Sequence, residues 1–95
     1  MVEEPLLHVP NQPGDTPGEG EIKAWLIDQL ASFLDKPHHQ VDPGIPFQRY
    51  GIDSATGIGL IGDLSELVGR ELDPTLLYDY PTAEKLSRHI AGQTA

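Results

Sequence analysis

The chain has no cysteine, which excludes a disulfide framework, a thiolate nucleophile and a cysteine metal cage. Any thiol chemistry has to be imported, and a reducing cytoplasm is the natural home. Basic residues are scarce: Lys plus Arg number 6 against 15 Asp plus Glu, for a formal charge of -9. Such a surface repels nucleic acid and anionic membranes and favours basic protein partners. No apolar run approaches the roughly 20 residues of a membrane span, and Glu3 and Glu4 stand where a signal peptide would be basic. The expectation is a soluble, unexported monomer. At 95 residues there is one small core and little material for the walls of a deep catalytic cleft.

Residues 1–15 contain Pro5, Pro10, Pro13 and Gly14 without periodicity and read as a leader or linker, ahead of a domain over 16–92 and a tail over 93–95. Thr16, Pro17 and Glu19 have capping-box spacing with proline at the first helical position. They predict a first helix over about 17–34. Its buried stripe is Ile22, Leu26, Ile27, Leu30, Phe33 and Leu34, with Trp25 at the edge. From Asp35 to Asp53 the breakers Pro37, Pro43, Gly44, Pro46 and Gly51 predict a long ordered loop, pinned by Val41, Ile45, Phe47 and Tyr50. A second helix follows over about 54–68, ended by Gly69. Asp73-Pro74-Thr75 opens a short third helix around Leu76-Leu77-Tyr78, stopped by Pro81. Thr82 caps a fourth over 83–90, with Leu86 and Ile90 inward and Gly92 at its end. The fold class is all-α: three main helices and one short one in a small four-helix bundle, with a long loop between the first two.

The second helix has two unlike faces. Leu60, Ile61, Leu64, Leu67 and Val68 share the core side with Gly57. Ala55, Ile58, Gly59, Gly62 and Glu66 lie opposite, a bare surface with one exposed isoleucine, and form the candidate partner-recognition face. Gly57-Ile58-Gly59-Leu60-Ile61-Gly62 spells the dinucleotide fingerprint, but that motif needs a preceding strand and a turn at its glycines. Here the glycines fall inside a helical period, which argues against nucleotide binding. A hydrolase built on Ser54, His89 and an aspartate lacks the G-x-S-x-G elbow and material for an oxyanion hole. His8, His38, His39 and His89 have no metal-ligand spacing and read as solvent-exposed.

What remains is Ser54 at a helix N-terminus, where Ser54 or Asp53 can serve as the N-cap and where free N–H groups and the helix dipole favour a phosphate ester. Gly51-Ile52-Asp53-Ser54 before an apolar helix, with Asp42-Pro43, Pro46-Phe47 and the run 73–82 from Asp73 to Thr82, resembles the acyl carrier domains of polyketide and fatty-acid synthesis over about residues 17–91. The resemblance implies a covalent 4′-phosphopantetheine on Ser54, beside its motif neighbour Asp53, carrying acyl groups as thioesters. It implies a phosphopantetheinyl transferase, an acyl-loading enzyme and ketosynthase-type enzymes as partners, and no catalysis by the chain itself. Ala55 and Gly59 stand where the family commonly has a bulky residue and an acid. The glycine-bearing stretch 55–63 and the run 74–81 look most like carriers loaded by fatty acyl-AMP ligases for lipopeptide or polyketide assembly. Asp53 with Ile52 resembles the acyl more than the peptidyl type. The alternative is an unmodified helical interaction module in which Ser54 is only a cap and Ile58 docks a partner.

Overall fold

The computed structural model describes residues 17–93, so the expected leader over 1–15, the capping residue Thr16 and the tail residues Thr94 and Ala95 lie outside the described residues. The described residues form four α-helices: α1 (Glu19–Leu34), α2 (Ser54–Val68), α3 (Leu76–Asp79) and α4 (Ala83–Gln93). Among the described residues the sole β pairing is one antiparallel bridge between Pro46 and Thr82. The all-α, three-plus-one architecture is the one the periodicity predicts.

α1 starts two residues later than its expected proline start. Gly18 is the N-cap, and its N–H donates to Glu21 Oε1 at 3.0 Å. The capping carboxylate is therefore Glu21 in place of Glu19, and both acids sit in the first turn, where the helix dipole favours them. At the other end Asp35 adopts a left-handed conformation (φ 56°), and the N–H of Lys36 closes on the carbonyl of Ala31 at 2.9 Å. Ile22, Leu26, Leu30 and Ala31 are buried, while Ile27, Leu34 and Trp25 pack partly buried against the core. Phe33 departs from its expected place and is 49% exposed. The last turn of α1 carries it to the edge of a groove of about 330 Å³ between α1 and α2.

The loop between α1 and α2 contains two short 3₁₀ turns, His38–Gln40 and Phe47–Tyr50, which the breaker pattern does not reveal. Val41 and Phe47 are its buried pins, with Ile45 and Tyr50 half-buried. The Tyr50 hydroxyl accepts from the backbone N–H of Asp42 at 2.8 Å, which folds the loop back on itself. Two backbone bonds then tie the loop to the start of α4: Glu84 N–H to Pro43 O at 3.0 Å and Phe47 N–H to Pro81 O at 2.8 Å. The 3₁₀ bonds within the loop and these bonds to the start of α4 together pair much of its backbone and make it a wall of the domain.

α2 buries Leu60, Ile61, Leu64 and Val68 and ends on Gly69, whose φ of 77° supplies the left-handed cap. Leu67, assigned by its spacing to the core side, is 37% exposed, because it sits at the margin of the apolar stripe. The turn after α2 is held by Ser65, whose hydroxyl donates to Ile61 O and accepts from the N–H of Leu72. Leu72 is buried beyond the end of α2, as Ile52 is ahead of its start; both are core residues that lie outside any helical period. Thr82 caps α4 through its hydroxyl, which accepts from Lys85 N–H at 3.1 Å. α4 does not stop near Ile90 but continues through Gly92 to Gln93, because a lone glycine weakens a helix without obliging it to end. His89 also departs from the expectation of a solvent-exposed ring: it is half-buried and stacks on Tyr80, with ring centroids 3.9 Å apart.

Candidate functional site

The approach to α2 is a sequence of local constraints. The 3₁₀ turn Phe47–Tyr50 ends on Gly51, whose φ of 88° is open to glycine and strained for other residues. Ile52 follows, buried against the core and bonded through its N–H to Phe47 O at 3.2 Å. An apolar anchor directly after a left-handed turn fixes the next two residues at the surface. Asp53 is the N-cap: its Oδ1 accepts from Thr56 N–H at 2.8 Å, and its carbonyl accepts from Gly57 N–H at 2.8 Å. That backbone bond from Thr56, followed by the contact with the Thr56 side chain, holds the Asp53 carboxyl below the usual carboxylate range.

Ser54 is consequently the first residue inside α2, with a side chain that has no capping duty. Of the two cap residues the sequence allows, Asp53 takes the role, which removes the reading in which Ser54 is only a cap. Ser54 is exposed, and its Oγ lies 3.1 Å from the hydroxyl of Tyr78, 24 residues further along the chain. Among the described residues no imidazole takes part in this contact; His89 is engaged with Tyr80. The nucleophile, base and orienter of a hydrolase are thus not assembled. Among the described residues no three His, Asp or Glu side chains are grouped to hold a metal ion. No described helix is long and apolar enough to cross a membrane.

Beside Ser54 runs a groove of about 310 Å³ between α2 and α3, with Phe47, Ile52, Ile58, Leu77, Tyr78 and Pro81 among its walls. Its closeness depends on Gly57. A Cβ built there would lie 2.5 Å from Leu77 Cδ1, so α3 rests on α2 where α2 has no side chain. Ile58 and Tyr78 flank the serine and are 57% and 62% exposed. Ala55, Gly59, Gly62 and Glu66 are also exposed, so the five residues assigned to the recognition face share one open side of α2. The sequence pattern marks Tyr78 only as part of an apolar turn. The Ser54–Tyr78 meeting has no local signature, because it depends on how α3 packs on α2.

The comparisons with known proteins agree with this geometry. Residues 24–90 match the family model described as the phosphopantetheine attachment site. The chain is 33% identical over 79 residues to a phenolphthiocerol/phthiocerol polyketide synthase protein of Mycobacterium tuberculosis, covering 83% of this chain and 4% of that protein. It therefore spans a small part of that relative. A solved free-standing peptidyl carrier protein from Acinetobacter baumannii superposes with a TM-score of 0.75 at 31% identity, covering 82% of this chain and 98% of that one. An acyl carrier protein from Anabaena sp. PCC 7120 does so with a TM-score of 0.78 at 29% identity, covering 94% and 99%. The residues present fit a covalent phosphopantetheine: Ser54 offers an exposed primary hydroxyl free of capping, next to an open groove. The chain belongs to the phosphopantetheine attachment site family, and it is a carrier domain that bears 4′-phosphopantetheine covalently.

Proposed function

We propose that Ser54 is the attachment residue and that the domain carries acyl groups between enzymes of polyketide, lipopeptide or fatty-acid assembly. The observation that carries this reading is the division of labour at the start of α2: Asp53 caps the helix, leaving the Ser54 hydroxyl exposed and uncommitted to the backbone. In the modification, Ser54 Oγ bonds to the pantetheine-side phosphorus of coenzyme A. The bond from that phosphorus to the bridging oxygen breaks, the serine proton goes to a base of the transferase, and the adenosine bisphosphate leaves. Once attached, the group supplies a terminal thiol that holds acyl chains as thioesters, in a chain that has no cysteine to compete.

The chain's own residues then do three things. The pinned loop and Ile52 hold Ser54 at the surface. The apolar walls of the groove offer a neighbouring chain partial shelter from water. Ala55, Ile58, Gly59, Gly62 and Glu66 present a low, weakly featured face to partners. Its glycines let another protein approach the α2 backbone, and the chain's charge of -9 draws basic partner surfaces. The partners of this reading are a phosphopantetheinyl transferase, a fatty acyl-AMP ligase as loading enzyme, and a ketosynthase-type enzyme. The setting is the cytoplasm, where coenzyme A is available. The domain catalyses no step of its own.

The test is intact mass after incubation with coenzyme A, magnesium and a broad-specificity transferase, followed by peptide mapping. One phosphopantetheinyl group is expected on the peptide containing Ser54. Ser54→Ala should abolish both modification and acyl loading while changing stability by no more than about 0.5 kcal/mol, as for an exposed residue that caps nothing. Loading that persists in the alanine variant rules the assignment out.

A further inference from the structure

We propose that the phenol of Tyr78 is a positioning residue for the phosphate on Ser54: it holds the serine hydroxyl before modification and donates its O–H to a phosphodiester oxygen afterwards. The inference rests on the Ser54 assignment above and adds a role for a residue of α3.

Ser54 Oγ and the Tyr78 hydroxyl are 3.1 Å apart, a distance at which either can donate. Esterification removes the serine proton, so Oγ can only accept from then on, whereas the phenol keeps its donor. The new phosphate oxygens lie two bonds from Oγ, inside the reach of a hydroxyl that already touches Oγ. The surroundings give the phosphate few other partners. Among the described residues no Lys, Arg or His lines the groove, and the neighbouring Asp53 is a carboxylate held in its ionised form. A diester anion there has the Asp53 carboxylate as a like-charged neighbour and no cation among the groove's lining residues, so the helix N-terminus and neutral hydrogen-bond donors are what can offset its charge. Of the other hydroxyls lining the groove, that of Thr75 donates to Asp73 Oδ1 at 2.9 Å and is already engaged. Gln48 also lines the groove with an amide donor, but Tyr78 is the lining side chain whose donor already stands within hydrogen-bond distance of Ser54 Oγ. Its position comes from the backbone: its N–H bonds to Thr75 O at 2.9 Å, and the adjacent Leu77 seats α3 in the space above Gly57.

A hydrogen bond to an anion is stronger than one between two neutral hydroxyls. Modification therefore tightens the hold of α3 on the first turn of α2.

The experiment is a thermodynamic cycle on the whole chain: wild type and Tyr78→Phe, each unmodified and carrying phosphopantetheine, unfolded in urea, with the phosphorus NMR spectrum of both modified forms. The variant removes one oxygen from an exposed ring, and the packing of that ring contributes alike to both forms and cancels. The expected result is that Tyr78→Phe lowers the folding constant by roughly threefold more in the modified than in the unmodified protein. The phosphorus resonance of the folded protein should move as well. Equal losses in both forms with an unmoved resonance, on protein mapped as modified at Ser54, overturn the role of Tyr78 and leave the carrier assignment standing. Failure to find the group on the Ser54 peptide overturns both.

Discussion

Gly57 and Gly59 stand two residues apart in the same helix and have opposite surroundings. A Cβ on Gly57 would meet Leu77 Cδ1 at 2.5 Å, whereas Gly59, and Gly62 further along, have nothing within 4 Å of theirs. Glycine in a helix interior costs roughly 1 kcal/mol relative to alanine. At Gly57 that loss is offset by the packing of α3, which forms the groove beside Ser54. At Gly59 and Gly62 no contact among the described residues offsets the loss, as the proposed role of this face in partner approach requires. The inner face of α2 is occupied by its own fold, and the outer face is kept bare.

Substitutions can break this contrast, and the largest effect belongs to the inner face. Leu64, fully buried, should lose about 3 kcal/mol on Leu64→Ala in urea unfolding. Ile58→Asp, earlier in the helix and on the outer face, should change stability by no more than about 0.5 kcal/mol and yet strongly slow processing by partner enzymes. Equal losses of stability at the two positions would place Ile58 in the core.

The glycines themselves come next. Gly57→Ala gains roughly 1 kcal/mol of helix propensity but forces the tip of the half-buried Leu77 side chain aside, at a cost of about 1 kcal/mol, so the gain seen at the open glycines should be cancelled here. Leu77→Ala added to Gly57→Ala should then cost less than the sum of the two single changes. Gly59→Ala and Gly62→Ala should instead stabilise the domain by about 0.5–1 kcal/mol each, because the added methyl meets nothing. The same two variants should process more slowly with partners if the bare face is where they approach. A stabilised protein with unchanged processing would move the docking surface elsewhere.

The smallest expected effect is acid sensitivity at the helix starts. Asp53 is held below the usual carboxylate range by the Thr56 N–H, and Asp73 by the Thr75 N–H and then its hydroxyl. Each folded-state value is lowered, so the stability each contributes is complete above the unfolded value of about 4 and is lost as pH falls through the folded one. A stability profile of Asp53→Asn should be flatter than wild type below about pH 4. Parallel profiles would mean that this cap contributes no pH dependence.

Much of the molecule is legible in the chain because the signals are local. Ile22, Leu26 and Leu30, spaced by four, locate α1 and its buried side without reference to anything else. Gly69 and Thr82 mark a helix end and a helix start through the bonds their own backbones and side chains make. The start of α1 is harder to place because two glutamates, Glu19 and Glu21, offer competing capping registers, and Gly18 takes the second. Phe33 and Leu67 fall on the core side by spacing and yet stay partly open, because periodicity gives the direction of a side chain and not whether another element arrives to cover it.

The sequence alone determined that this would be an acidic, cysteine-free, all-helical domain with an exposed serine delivered at the start of its second helix. Those properties follow from composition and from interactions within a few residues. Only the tertiary structure decided which of Asp53 and Ser54 caps the helix, that Gly57 is filled by Leu77 while Gly59 and Gly62 stay open, and that Tyr78 reaches Ser54. Asp53 and Ser54 are adjacent polar residues with similar capping ability, so the choice between them turns on how Gly51 and Ile52 orient the approach. Leu77 and Tyr78 meet α2 from a distant part of the chain, and contacts at that separation are set by how whole helices pack.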